Sequence, residues 1–315
     1  MFEEIISKVN KAEKILVYPH VNMDGDCCGS AKALCLAFRK MGKDSFVYTD
    51  KERPAYLSFM YDDCFVDEAP FESDLSFAVD LGEDSRLEDR APDFYKAEAT
   101  VCIDHHVPGE AKFADARVID PNASAAGILV FKFFEEMGLV LDKAIAEALY
   151  TAILTDTGCF KYSNTDVDTH LTVSKLYAYD IDHVAICNAV YENKPIAQLK
   201  LEALAIDRVE LLKGGRFALS YISIEDRARF DASYDLTETS VDAIRSIKGA
   251  EAVAMIKEKE EGIIKVSFRS KGYVNVRPAA ANLGGGGHDK AAACTLNMSL
   301  DEAIDTVRSE LLKLE

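Results

Sequence analysis

KILVYPHVNMDGDCCG, residues 14–29, is the stretch whose reading decides the fold. Lys14 to Tyr18 is a short apolar run, and Pro19 ends it as a buried strand. Downstream, Ala31, Leu34, Cys35 and Phe38 recur at helical spacing, and Gly42 supplies the stop. The stretch therefore predicts strand, loop and helix, with His20, Asp24 and Asp26 on the loop. Side chains at i and i+2 in an extended or turning segment share a side, so Asp24 and Asp26 can serve neighbouring positions across Gly25. A helix starting near Cys27 would point a positive end at the same place, which favours phosphate.

Working outward, Ser45 to Tyr48, Phe65-Val66, Ser76 to Leu81 and Thr100 to Ile103 read as further strands. Asn122 to Met137, Asp142 to Leu154, Thr165 to Tyr179 and Asp182 to Tyr191 read as helices. Strand alternating with helix predicts a doubly wound, mainly parallel α/β domain. A parallel sheet brings the carboxyl ends of its strands to one rim. Asp80 ends one strand, Asp104-His105-His106 ends another, and Asp156 sits at the end of a buried helix. One acid after a strand is usually a cap or turn residue. Four clusters of acid and imidazole at one rim require neutralisation by something positive. Oxygen and imidazole donors favour two Mn²⁺ or Mg²⁺ ions, with Co²⁺ and Zn²⁺ as lesser choices. Two such ions about 4 Å apart would supply a bridging hydroxide and clamp a phosphoryl group.

A break is expected near Glu192-Asn193-Lys194-Pro195, followed by a long connecting helix from Ile196 to Leu212. Residues 1–192 would form the first domain, 193–213 the linker helix and 214–315 a smaller α/β domain, with the active-site cleft between the two domains. In the second domain, Arg216 to Ser223 is a strand, and Glu260-Glu261-Gly262 turns a hairpin between Ala252–Lys257 and Ile263–Arg269. Asn275 to Leu283 is a short helix that feeds Gly284, Gly285, Gly286, Gly287 and His288; Ala291–Leu296 and Leu300–Leu314 close the chain as strand and helix. The glycine run is expected to expose successive N–H groups to an anion. Arg269 offers a planar fork to a phosphate, and His288 a further donor. Phe160-Lys161-Tyr162-Ser163 reads equally as a cleft lining or as an ordinary strand.

Composition sets the outer limits. The 315 residues are 49% hydrophobic and carry 36 − 54 = −18 charges. Such a chain repels long polyanions, so coating of long duplex nucleic acid is not expected. Eight cysteines without a C-x-x-C spacing fit a reducing cytosol. The acidic start Met1-Phe2-Glu3-Glu4 has no signal-peptide core, and no apolar run approaches the ~20 residues of a membrane span. The expectation is a cytoplasmic protein without a membrane partner; a homodimer is left open.

His20-x-x-x-Asp24-x-Asp26, Asp80, Asp104-His105-His106 and Asp156 resemble the four motifs of the DHH phosphoesterases. Arg269-Ser270 and Gly284 to His288 resemble the binding signature of the associated DHHA1 domain. Cys27 and Cys28 stand where the family more usually has small residues such as Ala, and Asn275 where it often has Asp. The resemblance implies that His20, Asp24 and Asp80 hold one Mn²⁺. Asp26, Asp80, His105 and Asp156 would hold the other, with Asp80 bridging. His106 would face the scissile phosphate. Arg269, Ser270, Gly285, Gly286, Gly287 and His288 would grip the substrate. The small-oligoribonuclease group of this family implies hydrolysis of short single-stranded RNA to mononucleotides, of adenosine 3′,5′-bisphosphate (pAp) to AMP, or of both. Alternatives are a linear or cyclic dinucleotide phosphodiesterase and a non-catalytic nucleotide sensor.

Overall fold

The apolar runs form two sheets, in two compact units spanning Met1–Asn193 and Lys194–Glu315. The computed structural model describes residues 1–51, 53–107 and 113–315. In the first unit, α1 (Glu3–Lys11) leads into β1 (Lys14–Tyr18), α2 (Gly25–Lys40), β2 (Asp44–Tyr48), β3 (Phe65–Val66) and β4 (Leu75–Val79). A short α3 (Ala91–Phe94), β5 (Ala99–Asp104) and β6 (Ala116–Ile119) follow. Four helices complete the unit: α4 (Ala126–Glu136), α5 (Lys143–Asp156), α6 (Val167–Leu176) and α7 (His183–Tyr191).

The strand order is β3-β2-β1-β4-β5-β6, with every pair parallel. Strand order reverses between β1 and β4. At such a switch point the loops leave toward opposite faces of the sheet and open a crevice at the carboxyl ends. His20 follows β1 and Asp80 follows β4, so the two flank that point. Asp80 sits at φ 55°, in the left-handed region that Asp tolerates better than most residues. Its amide still donates to the Ile103 carbonyl at 3.0 Å, which ties the strained residue to β5.

Helix α2 buries Ala31, Leu34, Cys35 and Phe38, as its spacing predicts. A fully buried side chain as large as Phe38 stabilises the fold by about 2 kcal/mol. The glycines of α2 serve its contact with α5. A Cβ on Gly29 would lie 2.4 Å from the Ala148 carbonyl oxygen, and one on Gly25 would meet Thr155 at about the same distance. Glycine thus lets α2 approach α5 backbone to backbone, and that approach brings the end of α5, at Asp156, beside Asp26.

The expected helix over 122–137 begins later, at Ala126, and no side chain of its own caps it. Its first two amides donate instead to the Asp26 carboxylate, at 2.5 Å from Ala126 and 2.9 Å from Gly127. The cap lies a hundred residues away, so the local Asn-Ala-Ser signal marks the approach to the helix and not its first turn. Phe160 to Ser163 form turns and not a strand. Gly158, Cys159 and Phe160 all take positive φ there, which excludes a pleated backbone. The expectation omits α1, although Ile5 and Val9 stand at helical spacing and are buried, and the four-residue strand β6.

The second unit contains α8 (Ile196–Asp207), β7 (Glu210–Leu212), β8 (Phe217–Ile222), α9 (Ile224–Arg229), α10 (Ser240–Arg245) and β9 (Ala252–Glu260). It continues with β10 (Ile263–Ser270), α11 (Arg277–Asn282), β11 (Gly286–Gly287), β12 (Ala291–Asn297) and α12 (Leu300–Lys313). Its sheet runs β11-β12-β10-β9-β8-β7; β8 and β9 are parallel and the other pairs antiparallel. The helix expected as a connector over 196–212 ends at Asp207. It packs by Leu201 and Ala205 against Ala218 and Ile222 of the second sheet. Glu210–Leu212 leave the helix to pair with β8, a tertiary contact that overrides their helical periodicity. Among the described residues, no helix is long and apolar enough to cross a membrane.

Candidate metal centre

The rim of the first sheet gathers His20, Asp24, Asp26, Asp80, His105, His106 and Asp156. His20 Nε2 lies 3.6 Å from Asp24 Oδ2 and 3.7 Å from Asp80 Oδ2. His105 Nε2 lies 3.3 Å from Asp80 Oδ1, 3.7 Å from Asp26 Oδ2 and 3.9 Å from Asp156 Oδ2. Asp80 is therefore common to both imidazoles. His20, Asp26 and Asp80 are at most 2% exposed, whereas the Asp24 side chain is 55% exposed, so the group opens to solvent on the Asp24 side.

The tautomers follow from the backbone. Nδ1 of His20 is 2.7 Å from the Val21 carbonyl oxygen, and Nδ1 of His105 is 3.1 Å from that of Ala123. A carbonyl only accepts, so each Nδ1 carries a proton, and each ring turns its Nε2 toward the carboxylates. Ligating histidines are commonly oriented this way. His20 Nε2 and Asp80 Oδ1 are buried and have no hydrogen-bond partner among the described residues. Carboxylates crowded at one rim repel one another, and a buried polar atom without a partner costs about 1–3 kcal/mol. A divalent cation satisfies both conditions. The donor set, carboxylate and imidazole, is the chemistry that Mn²⁺, Mg²⁺ or Co²⁺ accepts.

The electrostatics carry the same strain. Burial, reinforced by Asp80, pushes Asp26 well above the usual carboxylate range. Three donors oppose that push: the amides of Ala126 and Gly127, and the Ser30 hydroxyl at 3.0 Å. Burial lifts Asp156 to about 7; His105 opposes this, and Asp24 and Asp80 add to it. Burial alone would depress His105, but Asp80, Asp26 and Asp156 hold it up at about 11. The rim thus needs positive charge, and without a metal it recruits protons.

His106 differs from the other two histidines. Its Nδ1 is 2.8 Å from Asp104 Oδ1 and 3.4 Å from Asp80 Oδ1. Burial acts against the charged ring, but Asp104 and Asp80 raise its pKa. Asp104, fully buried at the end of β5, is in turn held below the usual range by His106 against the effect of burial. This orienting pair spans i and i+2 of one motif, yet Asp104 drew no role from the sequence. Asn164 was missed as well. Its amide donates to the Asp156 backbone oxygen at 3.1 Å, to Asp156 Oδ2 at 3.4 Å and to Ser124 O at 3.0 Å, and no sequence signal marks it. Cys27 is also close to the cluster: its Sγ, a ring nitrogen of His20 and a carboxylate oxygen of Asp80 lie within 4.8 Å of one another.

The residues expected to grip phosphate lie in the second unit. Arg269 is on β10; its Nη1 donates to the Phe268 carbonyl at 3.0 Å, and no carboxylate among the described residues pairs with it. The Ser270 hydroxyl is buried without a hydrogen-bond partner among the described residues. Residue 269 pairs with Ala291, and the His288 amide donates to that same Ala291 at 2.7 Å, so Arg269 and the end of the glycine run share a neighbour. The glycine run itself departs from expectation. The Gly284 and Gly285 amides donate to Ala281 and Ala280 and end α11, while Gly286 and Gly287 form the edge strand β11. A Cβ on Gly285 would fall 2.1 Å from the Ala293 carbonyl oxygen. Close approach to β12 explains the glycine there, and the amides of Gly284, Gly285 and His288 are spent within the unit.

Fold and cluster together define a class: a switch-point α/β unit with an acid–imidazole rim, followed by a mixed-sheet unit. The chain belongs to the DHH family: residues 14–153 match the DHH family N-terminal domain, and residues 214–313 match the DHHA1 domain. It is 30% identical to the bifunctional oligoribonuclease and PAP phosphatase NrnA of Thermus thermophilus, over 98% of this chain and 94% of that one. Against the Bacillus subtilis protein of the same name the identity is 28%, over 99% and 97%. A crystal structure of an exopolyphosphatase-related protein from Bacteroides fragilis superposes with a TM-score of 0.92 at 25% identity, covering 99% of this chain and 95% of that one.

Proposed function

We propose that this protein is a phosphoesterase dependent on two divalent ions, best served by Mn²⁺, and that it acts on small nucleotides. Its reaction is hydrolysis of short oligoribonucleotides to mononucleotides, of adenosine 3′,5′-bisphosphate to AMP, or of both. The observation that carries this reading is the pair of buried, unpartnered ligand atoms, His20 Nε2 and Asp80 Oδ1, at the switch point of a parallel sheet. The names of the relatives support the substrate class.

In this reading His20, Asp24 and Asp80 hold one ion, Asp26, Asp80, His105 and Asp156 hold the other, and Asp80 is shared. When bound, the ions supply an activated water and neutralise charge on the phosphoryl group. The protein's own groups do the rest. The Val21 and Ala123 carbonyls fix the tautomers of His20 and His105. Ser30 and the first amides of α4 hold Asp26 in place, and Asn164 holds Asp156. Asp104 holds His106 through Nδ1 and raises its pKa, and the ring is the group proposed to donate to a phosphate oxygen as negative charge builds there. In the second unit Arg269, Ser270 and His288, with the exposed edge at Gly285 to Gly287, bind the part of the substrate that does not react. A net charge of −18 favours short substrates over long ones, which suits cytoplasmic turnover of RNA fragments.

The test is a panel of pAp, pApA, longer oligoribonucleotides and cyclic dinucleotides, compared by kcat/KM with Mn²⁺ before and after chelation. Preference for pAp and the shortest oligonucleotides, lost on chelation and restored by Mn²⁺, is the expected result. Turnover that survives chelation overturns the proposal, and a preference for cyclic dinucleotides overturns the substrate assignment.

A further inference from the structure

Cys27 occupies the first turn of α2, directly below the His20 side of the rim. Its side chain is fully buried. Sγ accepts the His20 amide at 3.1 Å and donates weakly to the Val79 carbonyl at 3.7 Å, so it bridges the ends of β1 and β4, the two strands of the switch point. The sulfur is also within 4.8 Å of one ligand atom each of His20 and Asp80. In a tetrahedral site with metal–nitrogen and metal–sulfur bonds of ordinary length, the two ligand atoms stand about 3.5 Å apart. Only a small closure separates this trio from a site with nitrogen, sulfur and oxygen donors. One of its three members, His20 at 2% exposure, already presents a buried Nε2 without a hydrogen-bond partner among the described residues.

We infer that Cys27 adds a sulfur donor to the His20–Asp80 half of the centre, so that this half selects thiophilic divalent ions such as Zn²⁺, Cd²⁺ and Co²⁺ over harder ones. The inference rests on the dinuclear reading above. Thiolate ligands select softer ions, whereas carboxylate and water suit Mg²⁺ and Mn²⁺. Each sulfur–metal bond replaces one S–H bond: the thiol proton leaves to bulk water past the solvent-exposed Asp24, the sulfur keeps the electron pair it shares with the ion, and no oxidant is required. The weak contact to Val79 is lost in the exchange. Identity of the bound ion thus depends on a residue that would otherwise pass for core filling.

The experiment uses the full chain, stripped by chelator and titrated with Co²⁺, with Cd²⁺ and with Mn²⁺, alongside Cys27→Ala and Cys27→Ser. The wild type should show a near-ultraviolet sulfur-to-cobalt charge-transfer band that both variants lack. Cd²⁺ affinity should fall about tenfold or more in the variants, while Mn²⁺ affinity changes by no more than about twofold. Stoichiometric Co²⁺ binding by the wild type with no such band overturns the inference and leaves the dinuclear reading standing; so does a Cd²⁺-to-Mn²⁺ affinity ratio that the variants leave unchanged. Failure of the wild type to bind any of the three ions overturns both. The wild-type spectrum decides the matter by itself if either variant does not fold.

Discussion

The acid–imidazole rim in the first unit and the glycine run in the second unit both suggest function as sequence, but they are built in opposite ways. At the rim, buried polar atoms are left over: among the described residues, His20 Nε2, Asp80 Oδ1 and Asp104 Oδ2 have no hydrogen-bond partner. In the glycine run, amides expected to be free are already spent, at Gly284, Gly285 and His288. Unsatisfied groups cost free energy and are kept where a ligand completes them. Glycines cost only conformational freedom, and packing alone can require them. An unpartnered buried atom is therefore the stronger sign of a site than a flexible loop.

The sharpest way to break this comparison is at Asp80. Asp80→Asn keeps the shape but removes the charge shared by both imidazoles. Turnover should fall by about 10³-fold, near 4 kcal/mol of lost transition-state stabilisation. Steady-state kinetics with saturating Mn²⁺ measure this, and wild-type turnover would refute the role given to Asp80.

Asp104→Asn comes next. It leaves the His20 and His105 contacts with Asp80 intact but removes the charge of the carboxylate nearest His106. A loss of about 10–100-fold in kcat is expected, as for other groups that orient a site from behind. The pH profile adds a sign. His106 has its pKa raised in the folded protein, so its donating form persists below that raised value and is lost as pH rises through it. Asp104→Asn lowers that pKa, so the alkaline limb of kcat should move to lower pH. An unchanged limb would show that Asp104 supports the fold and does not tune His106.

How much of this could be read from the chain divides along the same line. Strand-end acids were legible because β1, β4 and β5 are apolar runs of five or six residues and a parallel sheet gathers their carboxyl ends. The reason for Gly25 and Gly29 was not, because a glycine that faces Thr155 and Ala148 declares itself only in three dimensions. The start of α4 was misplaced because its cap is Asp26, a hundred residues upstream. Glu210–Leu212 continue a helical pattern that only pairing with β8 overrules. Asn164 has no local signature at all. Local pattern reveals elements and their ends; long-range contacts decide what each end touches.

Smaller effects sharpen the other half of the comparison. Arg269→Ala should raise KM about tenfold with kcat little changed, as expected for a group that holds a part of the substrate remote from the reaction. A fall in kcat at constant KM would move Arg269 into the chemistry. Gly285→Ala should destabilise the protein by about 1–3 kcal/mol, because its Cβ meets the Ala293 carbonyl oxygen. Mn²⁺ affinity should stay within about twofold. Urea unfolding and metal titration read the two separately, and a stable variant with weakened substrate binding would restore the run as an anion loop.

The most direct measurement is anomalous diffraction from crystals grown with Mn²⁺. The account predicts two peaks about 4 Å apart on either side of Asp80, one against His20 and Asp24 and the other against Asp26, His105 and Asp156. A map with no peak at the rim, or with those side chains turned away from one another, would contradict it.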